Sequence, residues 1–174
     1  MNELALTPEE CEYIGSLDFF DKDYAEYLFQ FRYRSEEQVQ MKFDPQTREL
    51  ELQVTGLWHE TILYEVPLLA LISEAYFKFV DRDWNDNGQY QNATDKCMSL
   101  LENGCKFSEF GTRRRRDFKT HDTVMHALKE ASDKYKASTT DPKGAFTGTS
   151  NVYFAKKYNT PAIGTVGKCG YYYH

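Results

Sequence analysis

The chain has 174 residues, of which 41% are hydrophobic and 28% charged, and its net charge is −6. That composition is globular, and the length suits one domain or parts of two. No apolar run reaches the ~18–20 residues that cross a bilayer. The longest candidate, Val66 to Ala75, is interrupted by Ser73 and Glu74. An acidic surface repels nucleic acid and anionic membrane as a whole. The start, Met1-Asn2-Glu3-Leu4, lacks the basic and apolar segments of a signal peptide, so the expected location is the cytoplasm, with the nucleus as a second compartment. Cys11, Cys97, Cys105 and Cys169 lie far apart with no CxxC spacing and are expected to be buried or free thiols.

Thr7-Pro8-Glu9-Glu10 marks a helix start, with Thr as N-cap, Pro in the first turn and Glu at the capping-box position. A second helix is expected from about Asp23 to Phe31. Val39, Met41 and Phe43 alternate with polar residues, as do Leu50, Leu52 and Val54 after Asp44-Pro45-Gln46-Thr47. The pattern predicts a β-hairpin with one buried face. Leu57 to Val80 is apolar and mostly helix-forming, and Pro67 should end or kink one helix and begin the next by disfavouring helical geometry at Val66. Another helix is expected over about Asn92 to Asn103, closed by Gly104.

After Gly104 the texture alternates. Strands are expected at Cys105 to Phe110, Phe146 to Thr149 and Pro161 to Val166, with helices at Thr120 to Ala137 and Val152 to Tyr158 between them. Val124, Leu128 and Ala131 should share the buried face of the longer helix. A βαβαβ order implies parallel strands.

In parallel α/β architectures ligands bind where strands end and helices begin. The three expected strand ends read Ser108-Glu109-Phe110-Gly111-Thr112-Arg113-Arg114, Thr147-Gly148-Thr149-Ser150-Asn151 and Gly164-Thr165-Val166-Gly167-Lys168. Glycines admit a ligand to backbone amides, hydroxyls donate hydrogen bonds, and arginines grip phosphate or carboxylate in a fork. Arg113 to Arg116 precede a helix N-terminus, where the dipole disfavours positive charge. A phosphorylated ligand accounts for them; a solvated basic loop and a nucleic-acid patch are the alternatives.

Several stretches, in this order, resemble the nicotinate phosphoribosyltransferase family in its fungal-type spelling. They are Gly56-Leu57-Trp58-His59-Glu60-Thr61-Ile62-Leu63-Tyr64-Glu65-Val66-Pro67-Leu68-Leu69, Ser73-Glu74-Ala75-Tyr76-Phe77, Phe107 to Arg115, Gly148-Thr149-Ser150-Asn151 and Gly164-Thr165-Val166. The resemblance covers about residues 5 to 166. It implies an α/β fold with a partial N-terminal α+β domain over residues 1–103. Residues 104–166 would then form the first βαβαβ segment of an incomplete type II phosphoribosyltransferase α/β barrel, and 167–174 a tail outside the family pattern. It further implies the joining of nicotinate to phosphoribosyl pyrophosphate, giving nicotinate mononucleotide and pyrophosphate in NAD synthesis, coupled to ATP hydrolysis with Mg²⁺ on the phosphates. Partners would be nicotinate, phosphoribosyl pyrophosphate and a second subunit sharing the active site, without membrane or nucleic acid.

By the same resemblance Phe110 stacks on the pyridine ring and Arg113 holds the nicotinate carboxylate. Ser150 stands where the related nicotinamide enzyme carries an aspartate, while Arg114, Arg115 and Thr149 bind phosphate. The family's phosphorylated histidine follows Gly-Thr-Val directly. Here Gly167-Lys168-Cys169 follows instead, so no catalytic residue is assigned and the chain as written is expected to be inactive. The rival expectation is a non-catalytic fragment that pairs with a complete subunit.

Three weaker signals are set aside. Asp83 to Gly88 matches half an EF-hand loop, but Thr94 stands at the twelfth position where a bidentate Glu is needed. Asn92-Ala93-Thr94 is a sequon that matters only after secretion. His121 and His126 are read as surface or satisfied residues rather than ligands.

Overall fold

The computed structural model describes residue 1 and residues 3–164. Its mixed helices and sheets fall into two compact units, Met1–Leu71 and Ile72 onward.

The first unit opens with α1 (Pro8–Gly15), whose capping box is complete: Glu10 N donates to Thr7 Oγ1 at 3.2 Å and Thr7 N to Glu10 Oε2 at 2.8 Å. α2 (Lys22–Gln30) and the short α3 (Ser35–Gln38) lead into β1 (Val39–Phe43) and β2 (Leu50–Val54), then α4 (Trp58–Thr61) and a 3₁₀ turn at Ile62–Tyr64. The unit centres on Tyr64, wholly buried. Its hydroxyl donates to Gln38 Oε1 at 2.8 Å and accepts from Arg34 N at 2.8 Å. Gln38 Nε2 and Arg34 converge on Glu60 Oε2, at 2.8 and 2.7 Å. Tyrosine suits this place because its ring fills the core while its hydroxyl satisfies two polar groups.

The expected hairpin forms, antiparallel, with Met41 opposite Leu52 and Phe43 opposite Leu50. The expected buried face is corrected. Met41 is 70% exposed and Phe43 59%, while Leu52 and Val54 on the neighbouring strand line a groove with Trp58, Ile62 and Leu69. The expected break at Pro67 also moves. α5 runs Glu65–Phe79 with Val66 inside it. Pro67 sits in the first turn, where its missing N–H costs nothing.

The second unit is built on α6 (Gln89–Glu102) against α7 (Phe118–Ser138). Cys97, Leu101, Met125, Leu128, Ala131, Tyr135, Phe146 and Phe154 form its core. This packing takes α6 into the second unit, so the units divide inside α5 rather than at 103. Gly104 (φ 76°) ends α6: its N–H donates to Leu101 O, and Cys105 N–H to Leu100 O. That pair of bonds is a Schellman closure requiring a left-handed residue. Burial among apolar neighbours pushes the Cys97 thiol up to about 11, which keeps it protonated.

β3 (Lys106–Glu109) and β4 (Ala145–Thr149) pair in parallel, with an irregularity at Phe107/Ser108, and α8 (Val152–Lys157) follows. The expected third strand is reduced, within the described residues, to one parallel bridge, Thr149 with Ala162. Thr165 and Val166 lie outside them. Gly148 (φ 137°) admits this segment, because a Cβ there would overlap the Pro161 carbonyl. No helix among the described residues is long and apolar enough to cross a membrane.

The packing makes a contrast between adjacent leucines testable. Leu101 is fully buried and Leu100 is 39% exposed. Leu101→Ala is expected to cost about 2–5 kcal/mol and Leu100→Ala under about 1 kcal/mol in urea unfolding. Equal losses would contradict the core as described.

Candidate functional site

The ends of β3 and β4 lie side by side in the second unit. Ser150 N donates to Glu109 O at 2.9 Å, and Asn151 Nδ2 to Thr112 Oγ1 at 3.0 Å. These bonds join the two strand-end loops that the sequence singled out. Asn151 also caps α8 through Phe154 N at 3.1 Å, so one side chain fixes both the loop and the helix start.

From Phe110 the chain turns through Gly111 into a 3₁₀ turn at Thr112–Arg114 and reaches α7 at Phe118. Phe110 is 38% exposed, and Arg113 and Arg114 are exposed. The four arginines divide. Arg116 stacks over Phe77 and Trp84, at 5.7 and 5.2 Å from the ring centres, and Arg115 lies 5.4 Å over Phe118. Cation–π contacts of this kind attach the second pair to the protein itself. Ser73 Oγ holds the backbone there, donating to Arg115 O at 2.9 Å. Arg115 Nε is buried without a hydrogen-bond partner. The negative charge that a helix start favours is supplied by Asp117, which caps α7 through Thr120 N at 2.6 Å.

Beneath this loop lies a group that the sequence reading passed over. Glu109 and His121 are both buried, with His121 Nε2 3.0 Å from Glu109 Oε1. The contact is close, but neither His121 nitrogen has hydrogen-bond geometry. Phe154 meets the imidazole edge-on at 4.6 Å. Glu109 also accepts from Gly111 N and, at 2.6 Å, from Thr149 Oγ1. Burial pushes its carboxyl up, but the nearby His121 imidazole and the bonds from Thr149 and Gly111 outweigh that and leave it below its ordinary value.

Thr149, expected at a phosphate, is wholly buried. Its hydroxyl is committed to Glu109 and to Asn151 N–H, at 3.0 Å. Ser150 is half-buried at the loop surface. A sequence signal for His121 did exist. His121, Met125, Leu128, Ser132 and Tyr135 repeat at alternate steps of four and three, the buried stripe of α7.

Among the described residues no three His, Cys, Asp or Glu side chains gather as a metal site. Glu109 is engaged below the loop and Asp117 caps α7, so the loop offers no carboxylate set for Mg²⁺. Asp86, in the half EF-hand loop, instead takes Lys119 at 3.0 Å and Thr120 at 3.1 Å.

The site thus lies at the ends of two parallel strands of an α/β unit, with exposed arginines beside a half-exposed aromatic ring. The chain matches the nicotinate phosphoribosyltransferase (NAPRTase) N-terminal domain model over residues 1–73 and the nicotinate phosphoribosyltransferase (NAPRTase) family model over 105–174. It is 42% identical over 167 residues to a Schizosaccharomyces pombe protein named "Probable nicotinate phosphoribosyltransferase", covering 95% of this chain and 40% of that one. It is 43% identical over 150 residues to the Saccharomyces cerevisiae nicotinate phosphoribosyltransferase, covering 82% of this chain and 34% of that one. The crystal structure of the Porphyromonas gingivalis nicotinate phosphoribosyltransferase superposes with a TM-score of 0.80 at 30% identity, covering 95% of this chain and 40% of that one. The chain belongs to the nicotinate phosphoribosyltransferase family, and it spans about 40% of the length of the first of these relatives.

The Glu109 environment predicts an acid limb of stability. A carboxyl held below its ordinary 4.5 contributes stability that is fully present above that value and is lost as the pH falls through its lower folded value. Glu109→Gln should therefore flatten the fall of the urea midpoint below about pH 4.5. Parallel acid limbs in wild type and variant would contradict the assignment.

Proposed function

We propose that this chain carries the nicotinate-recognition and part of the phosphate-binding surface of a nicotinate phosphoribosyltransferase. The whole protein would convert nicotinate, phosphoribosyl pyrophosphate and ATP to nicotinate mononucleotide, pyrophosphate, ADP and phosphate. The observation that carries this reading is the joining of the Phe110–Arg113 loop to Ser150 and Asn151 at the ends of two parallel strands. Phe110 stacks on the pyridine ring, Arg113 pairs with its carboxylate, and Ser150 faces that carboxylate without opposing charge. Arg114 serves the phosphates, whereas Arg115, expected beside it, lies over Phe118. Thr149 serves from below, by holding Glu109, rather than by touching the ligand.

Bond cleavage at the ribose builds positive charge as pyrophosphate leaves, so positioning and preorganised charge suffice, and this loop needs no acid or base. ATP and Mg²⁺ belong to the reaction of the whole protein, as do a second subunit and a cytoplasmic setting. The division of the arginines favours a small anion over a polyanion. Arg115 and Arg116 lie over the protein's own rings, and Arg113 and Arg114 are the exposed pair of the four.

The test is calorimetric binding of nicotinate and nicotinamide to the gene product and its Ser150→Asp variant. Wild type is expected to favour nicotinate, and the variant to lose at least about tenfold of that preference, since a carboxylate would then face a carboxylate. An unchanged preference would remove Ser150 from the site, and equal binding of acid and amide by wild type would overturn the reading.

A further inference from the structure

We propose that Glu109, backed by His121, is a positioning residue for the aromatic ligand: its carboxylate fixes the turn that presents Phe110 and Arg113. This rests on the nicotinate reading above and adds two residues to it.

Glu109 grips the turn from both sides of Phe110. Its backbone carbonyl accepts from Ser150 N, and its carboxylate reaches past Phe110 to accept from Gly111 N. Phe110 lies between these two anchors, so its backbone cannot rotate without breaking one of them. The carboxylate is fully used. Oε1 takes Gly111 N and faces His121 Nε2, while Oε2 takes Thr149 Oγ1. Three elements, β3, β4 and α7, thereby meet at one side chain.

Stability alone does not call for this arrangement. A buried carboxylate and imidazole cost more desolvation than an apolar pair of the same volume, and such a pair commonly replaces them without loss. The carboxylate's directional bonds to Gly111 N and Thr149 Oγ1 supply what an apolar pair cannot, one fixed loop geometry. The charge also lies below the loop, with His121 beside it, so it does not confront an anion bound above. Gly111 is part of the device. A Cβ there would come 2.7 Å from Glu109 Oε1, so the carboxylate occupies the space that a side chain at 111 would need.

The experiment measures nicotinate binding by calorimetry on the gene product carrying this sequence, in wild type, Glu109→Gln and Gly111→Ala. Stoichiometry reports the folded fraction and Kd reports the loop. Both variants should raise Kd about tenfold at unchanged stoichiometry, the scale of losing a charge-assisted bond, with faster hydrogen exchange at residue 111. Unchanged Kd in both variants, or lost stoichiometry at unchanged Kd, would mean that Glu109 only supports folding and would overturn the proposal. If Glu109→Gln does not fold, Gly111→Ala decides alone. Wild type that binds no nicotinate would overturn the underlying reading, and this inference with it.

Discussion

A carboxylate inside a protein must have its lone pairs filled, or it destabilises the fold by several kcal/mol. Glu109 meets that demand with a backbone N–H from its own loop, a hydroxyl from the neighbouring strand and an imidazole from the following helix. The second unit is arranged around this requirement. β3 and β4 must end at the same level for Thr149 to reach it. α7 must begin where it does for His121 to face it. Gly111 must lack a side chain. The loop that leaves this cluster is therefore held from beneath, and its upper side is left for a ligand.

The arginine run follows the same division between structure and binding. Four like charges before a helix would oppose its dipole, yet the fold contains the cost. Arg115 and Arg116 spread over Phe118, Phe77 and Trp84, and Asp117 provides the cap. Arg113 and Arg114, on the 3₁₀ turn, are the exposed pair next to Phe110. A ligand with one carboxylate or phosphate per arginine matches that pair better than a polyanion does.

Local chemistry was legible in the sequence wherever it acted within a few residues. Thr7 and Glu10 announced a capping box that the structure contains, and Gly104 announced a helix end whose bonds require it. The alternating texture after Gly104 announced β3, α7, β4 and α8 in their order along the chain. Properties that depend on distant chain were not legible. Alternation announced the hairpin but could not say what would cover Met41 and Phe43. Pro67 announced the start of a helix, but ring sterics are local and could not say that Glu65 and Val66 would already belong to it. α6 joined the second unit through its contact with α7, which no signal near residue 103 foretold. Glu109 and His121 meet through the fold rather than through spacing, so each looked ordinary by itself.

The central claim is that ligand recognition resides on the joined ends of β3 and β4. Amide chemical-shift mapping with nicotinate tests it most directly. The account predicts the largest shifts at Phe110, Gly111, Arg113, Ser150 and Asn151, with the hairpin residues Val39 to Val54 unmoved. Saturable shifts centred elsewhere, with Phe110 to Arg113 silent, would contradict it.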